Sequence, residues 1–288
     1  MYTLGANCGG YSLTLDLFAL ATNNATGLED TFSNITGAST PEHATLIRDF
    51  ALWVENETLI SINVKLYVVG DLLTGRPHLN TYESALEAAA LTGQETEDLV
   101  RLHLSTYYVK RTTFDRAFVD GERFRYGALY VGGAGLPEYA PYCLVLAKQF
   151  QDALTQAACL SGDSLKVCFR GDTFDEDSLK QCAAPFRTHR HVLVAIERAK
   201  EVTTTPKGEW PNLIAGGGRY FEVVFIGKVS LADLAFVSTL KSEYDRMLTL
   251  LLDSFGKKLD EAGRANAHDF RVLLRGVKEG KLRLEVVA

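Results

Sequence analysis

The stretch Arg219-Tyr220-Phe221-Glu222-Val223-Val224-Phe225-Ile226-Gly227 decides how this chain is read. It is aromatic and β-branched, ends on glycine, and predicts a strand over 220–226. Side chains alternate along a strand, so Phe221, Val223 and Phe225 share one face while Glu222, Val224 and Ile226 share the other. A carboxylate on that second, mostly apolar face either marks the solvent side of the sheet or stands at a pocket wall. In the second case a fixed carboxylate can steady a developing cation.

Working outward, short strands are predicted over 124–131, 142–147, 165–170 and 192–196, with glycine clusters at 132–135 and 216–218 between some of them. Upstream, Ile60, Ile62, Val64, Leu66 and Val68 alternate with polar or amphipathic residues as a period-2 strand. Leu13, Leu15 and Leu17 suggest a shorter one, followed by an irregular cap over 21–39. Thr40-Pro41 opens a helix striped by Leu46, Ile47, Phe50, Trp53 and Val54. Asn80-Thr81-Tyr82-Glu83 resembles a capping box for a helix stopped by Gly93, and another helix begins at Thr96. Near the carboxyl end, Met247, Leu248, Leu251, Leu252 and Phe255 form the seam of a long helix over 240–259. Residues 271–274 and 282–286 then read as a hairpin around 277–280.

These elements predict an α+β fold: a mixed, mostly antiparallel sheet core with amino-terminal helices and a carboxyl-terminal long helix plus hairpin. The division expected is an amino-terminal extension over 1–70, a core over 71–236, and a helix-and-hairpin segment over 237–288 packed on that core.

The chain has 288 residues, 47% of them apolar, enough for a sizeable core. Its formal net charge of −6 supplies no global basic field, so any grip on nucleic acid needs a local patch. There is no apolar run long enough for a membrane helix, and the start lacks the pattern of a secretory signal. The five cysteines, Cys8, Cys143, Cys159, Cys168 and Cys182, show no CxxC pair, which argues against a disulfide framework or zinc site. A reducing, cytoplasmic setting is the expectation, and the sequons at Asn24, Asn34 and Asn56 are then chance matches.

Several chemistries lack their motifs. The glycine clusters fit neither a dinucleotide fingerprint nor a P-loop, and no G-x-S-x-G elbow occurs. His189 and His191 would share a strand face that a metal could use, but no carboxylate motif supports one, so no metal is expected.

What remains is an order of residues: His78 ahead of a capped helix ending at Gly93, then Tyr107-Tyr108-Val109-Lys110-Arg111, then the Glu222 strand followed by Lys228-Val229-Ser230-Leu231-Ala232-Asp233. This order, over roughly 76–236, resembles the DarT-type nucleic-acid ADP-ribosyltransferase toxins. The chain departs from that pattern: Asn80 or Thr81 replaces a threonine, the arginine segment lacks its proline, and no Arg-Gln-Ala precedes Glu222. Arg170, with Thr203, Thr204 and Thr205, resembles a different toxin subgroup and ranks second as the arginine.

The resemblance implies an ADP-ribosyltransferase-like fold and transfer of ADP-ribose from NAD to nucleic acid or protein, in a bacterial toxin or defence setting with a possible antitoxin. Glu222 would steady the ribosyl cation, His78 would bond the nicotinamide ribose, and Arg111 would hold pyrophosphate or help deprotonate the acceptor. Tyr108 or Tyr126 would stack on nicotinamide, with Arg125 beside them on the cofactor side. A strip of Lys110, Arg111, Arg116, Arg123 and Arg125 would meet the acceptor. Two other readings fit the same residues: a non-catalytic module that binds a nucleotide or partner, and a hydrolase of N-glycosidic bonds, whose chemistry passes through a similar cation.

Overall fold

A computed structural model describes residues 15–288, so Cys8 and Leu13 lie outside the described residues. Helices α1 (Leu17–Ala38) and α2 (Pro41–Glu57) lead into β1 (Leu59–Val64). Four helices, α3 (Leu66–Leu73), α4 (Thr81–Thr92), α5 (Thr96–Leu104) and α6 (Tyr108–Arg116), separate β1 from β2 (Arg125–Tyr130) and β3 (Tyr142–Leu146). Next come α7 (Lys148–Ala153), β4 (Ala157–Leu160), α8 (Ser164–Val167) and a small ribbon of β5 (Phe169–Arg170) and β6 (Thr173–Phe174). After α9 (Glu176–Cys182), β7 (Ala183–Pro185), α10 (Phe186–Val202) and α11 (Pro211–Ile214), the chain enters β8 (Glu222–Phe225). It ends with β9 (Leu234–Leu240), α12 (Lys241–Asp253), α13 (Glu261–Lys278) and β10 (Leu284–Val287).

The fold is α+β, with a mixed, mostly antiparallel sheet of eight strands in the order β10-β9-β3-β1-β2-β8-β4-β7. Segments 1–70, 71–236 and 237–288 all contribute strands to it, because β1 lies between β3 and β2 while β10 pairs with β9. No described helix is long and apolar enough to cross a membrane.

The alternation expected around Glu222 is realised. Phe221, Val223 and Phe225 enter the larger core, whereas Val224 enters a second core on the other face with Ile226 packed against it. Local signals hold where capping chemistry is explicit. Thr40 accepts from the His43 N–H ahead of Pro41, and Asn80 and Glu83 form a reciprocal capping box. Gly93 ends α4 at φ 72°, a left-handed conformation that glycine adopts without strain.

Other expectations are corrected. The irregular cap over 21–39 is the helix α1, capped by the Asp16 side chain and buried through Leu17, Ala21 and Leu28. The strand at 60–68 ends at Val64, since Leu66, Val69 and Leu72 bury one face of α3 at helical spacing. The apolar run at 192–196 belongs to α10, where Val192, Leu193, Val194 and Ala195 are all buried in a helix packed against α1, α2 and strands β4 and β7. Helical spacing therefore turns His189 and His191 to different faces. The 165–170 strand is the short α8 followed by β5. The carboxyl-terminal hairpin is also replaced: residues 271–274 lie inside α13, and β10 runs parallel to β9. A parallel pairing needs a long crossover, which α12 and α13 supply.

Candidate functional site

Sheet register gives Glu222 small neighbours on its β2 side and Leu160 of β4 on the other. Ala128 of β2 pairs with Glu222 of β8 on one side and with Ser61 of β1 on the other. Ser61, Ala128 and Glu222, with Gly127, line a cavity of about 240 Å³. Larger side chains in that row would fill it. Gly127 is required by close approach, because a Cβ there would stand 2.6 Å from the Ser61 carbonyl oxygen.

Glu222 is buried, its side chain only 4% exposed, and each carboxylate oxygen has a partner. Oε2 accepts the Ser164 backbone N–H at 2.9 Å, and Oε1 lies 3.5 Å from the Arg111 Nη2. Arg111 also donates to the Ser164 Oγ at 3.1 Å. Its guanidinium stands over the Tyr126 ring, the Cζ 3.7 Å from the centroid. Tyr126 donates its hydroxyl to Asp115, whose other oxygen accepts the Tyr82 hydroxyl at 2.9 Å. A chain of contacts thus runs from Glu222 through Arg111 and Tyr126 to Asp115.

Burial raises the Glu222 carboxyl above its ordinary range, opposed by the Arg111 charge and the Ser164 hydrogen bond. Burial likewise pushes Asp115 up to about 6 against the pull of Arg111. Although burial opposes its charge, Tyr126 and the nearby charges of Glu222 and Asp115 hold the Arg111 guanidinium above its usual value.

The cavity wall is aromatic. Tyr107, Tyr126, Tyr139 and Tyr220 line it, and the hydroxyls of Tyr139 and Tyr220 meet at 3.1 Å. Asn63 fastens the loop that brings Tyr139 in, donating to the Ala134 and Ala140 carbonyls and accepting the Leu136 N–H. Asp163 adds a second carboxylate to the lining.

A neighbouring cavity of about 190 Å³ holds His78, Tyr82, Asp115 and Arg125, and shares Leu104, Arg111 and Tyr126 with the first. Glu222, Arg111 and Tyr126 therefore converge, whereas His78 and Arg125 stand in the adjoining space. Burial and the Arg125 charge push His78 down to about 4, so its ring is neutral near pH 7, and its Nδ1 is buried without a hydrogen bond. Arg125 is buried against Glu83 at 2.6 Å and donates to the His78 carbonyl. Tyr108 lines neither cavity: its hydroxyl goes to Glu97 and Arg101 covers its ring. Arg170 pairs with Asp175 on the surface.

The basic strip is likewise corrected. Lys110 pairs with Asp172, Arg116 with Glu97 and Glu122, and Arg123 with Asp120, while Arg111 and Arg125 are buried on Glu222 and Glu83. Each cation already has a carboxylate, so no free positive strip is presented here.

Sequence reasoning passed over Asp115, Tyr220, Tyr139 and Ser164. Two carried a signal: Asp115 follows Arg111 by four residues on a helix, and Tyr220 precedes Glu222 by two on an extended segment. Tyr139 and Ser164 reach the site only through the tertiary fold. No protein-family model and no curated protein matches the chain.

Proposed function

We propose that the Glu222 cavity binds the nicotinamide riboside end of NAD and transfers ADP-ribose to a macromolecular acceptor, nucleic acid or protein. The observation that carries this reading is a buried carboxylate, fixed by Ser164 and Arg111, in the lining of a tyrosine-walled cavity. The pyridinium ring of NAD is a flat cation. Two carboxylates and aromatic walls suit it, by charge and by ring stacking. Because Arg111 occupies a face of Tyr126, Tyr139 and Tyr220 are the better stacking surfaces.

Cleavage of the bond between nicotinamide and ribose leaves the electron pair on nicotinamide and positive charge on the ribosyl carbon. An ionised Glu222 lies where that charge develops, and Arg111 helps keep it ionised. The acceptor's nucleophile then bonds to the ribosyl carbon and releases its proton. No step requires a metal. The resemblance to DarT-type toxins points the same way and suggests a bacterial toxin or defence role with an antitoxin.

The test is nicotinamide release from NAD by wild type and by Glu222→Gln, with NAD labelled on the adenine side to follow the ribosyl group. A loss on the order of 10²-fold in the variant, with its fold kept, is expected. Label recovered only as free ADP-ribose would favour N-glycosidic hydrolysis. NAD binding without turnover would favour a non-catalytic module, and no binding at all would overturn the assignment.

A further inference from the structure

One face of α13 carries Arg264, His268, Arg271, Arg275 and Lys278, all exposed. At 3.6 residues per turn they fall within about 80° of one another and span about 21 Å of helix. The opposite face is fixed in the core through Ala267, Phe270, Leu273 and Gly276. Gly276 lies so close to Leu73 that a Cβ would stand 2.5 Å from its Cδ2, which sets the helix rotation and holds the basic row outward.

Unlike the cations around α6, the four arginine and lysine side chains of this row form no ion pair among the described residues. Arg264 donates to the Leu259 carbonyl and Arg271 stands over the Phe255 ring. Glu279, beside the row, is taken by Lys281. Arg275 and Lys278 in the last turn complement the helix dipole, but Arg264 and Arg271 lie upstream of that effect. Like charges one turn apart repel, so the row is unfavourable in the free protein and relieved by a polyanion.

We infer that this face of α13 docks single-stranded nucleic acid. Three of its four permanent cations are arginines, whose planar forks match phosphate oxygens. Phe255, expected in the apolar seam of a long helix, lies instead past the end of α12 and is 73% exposed; Arg271 covers one face of its ring, and a base can stack on the other. An acidic protein segment would satisfy the charges but leave that ring unused. The apolar side of α13 is already buried, so the helix has no face to insert into a membrane. No residue of α13 lines the Glu222 cavity, and the inference holds whether or not that cavity acts on NAD.

The experiment is fluorescence anisotropy of a labelled 20-nucleotide oligo-dT and its oligo-rU counterpart with the full chain at about 50 and 200 mM salt. Engagement of about four phosphates predicts a log–log salt slope near −3, or roughly a 60-fold loss over that range. The triple variant R271E/R275E/K278E should weaken binding at least about tenfold and flatten the slope to near −1. The control K65E/R187E/K200E, with the same net change on other exposed sites, should shift binding far less. Absence of binding at the lower salt, or equal weakening in the two variants, overturns the proposal. Polyglutamate competing as well as oligo-rU at equal charge would also overturn it, in favour of an acidic protein partner.

Discussion

Tyr126 supports Arg111 on its ring face while giving its hydroxyl to Asp115, so one tyrosine links the cation beside Glu222 to a carboxyl in the adjoining cavity. Tyr126→Phe keeps the ring under Arg111 and removes a donor from a buried carboxyl. The expected cost is about 1–3 kcal/mol, read as a lower urea midpoint with an unchanged slope. Tyr126→Ala should cost more, since the guanidinium loses its support and a cavity is left. Equal stability of Tyr126→Phe and wild type would show that the hydroxyl contributes nothing.

Asp115 and His78 should give stability opposite pH dependences. Asp115 is raised from 3.8 to about 6, so the native state holds a proton that the unfolded chain releases, and its contribution is lost as pH rises across that window. His78 is lowered from 6.5 to about 4, so its contribution is present above 6.5 and lost as pH falls towards 4. Each shift corresponds to roughly 3 kcal/mol, and in wild type the two largely offset between pH 4 and 6. Relative to wild type, Asp115→Asn should gain stability as pH rises from 4 to 6, and His78→Gln should lose it. Unfolding midpoints of the three proteins at several pH values check both signs; parallel curves would contradict both shifts.

Arg123 and Arg125 are near neighbours in sequence and opposites in structure. Arg123 has a side chain 61% exposed, and its pair with Asp120 is a surface one, so Arg123→Glu should change stability by less than about 0.5 kcal/mol. Arg125 is buried against the partly exposed Glu83, and Arg125→Glu would set a buried carboxylate beside a second one, at about 3 kcal/mol or more. Denaturant midpoints of the two single variants decide the matter. Similar losses in both would mean that Arg125 is less enclosed than its contacts indicate.

That contrast shows what a sequence carries and what it does not. Alternation around Glu222 sorted the two faces of β8 correctly, because a strand's period is local. The Asn80 and Glu83 cap was legible for the same reason. Short apolar runs were not: Val192-Leu193-Val194-Ala195 suits a buried strand or a buried helix, and only its packing between α2 and the sheet selects the helix. Charge was the least legible property. Lys110, Arg116 and Arg123 look like a basic strip until Asp172 and Glu97 arrive from elsewhere in the chain, and the nearby Asp120 and Glu122 turn back onto Arg123 and Arg116. In the candidate site, Glu222 was singled out by its place on an apolar strand and Arg111 by the order of residues that resembles the DarT-type toxins, while Ser164, which holds both, is brought there by β4 and the turn after it.

Arg111 should govern the pH at which the proposed reaction runs. Burial raises the Glu222 carboxyl and Arg111 is the largest influence drawing it back, so removing the cation must raise it further. Arg111→Met keeps an apolar body against Tyr126 but leaves the carboxylate without its cation. If NAD cleavage requires ionised Glu222, the acidic limb of the pH–rate profile moves to higher pH in this variant, beyond any loss at the plateau. Arg111→Lys restores the charge without the planar fork that reaches both Glu222 and the Ser164 hydroxyl. Its acidic limb should therefore lie between those of wild type and Arg111→Met, with a plateau rate reduced about tenfold or more. Profiles of nicotinamide release from about pH 5 to 9 make the comparison. An acidic limb that stays in place in Arg111→Met would mean that Glu222 is not the group whose ionisation sets the rate.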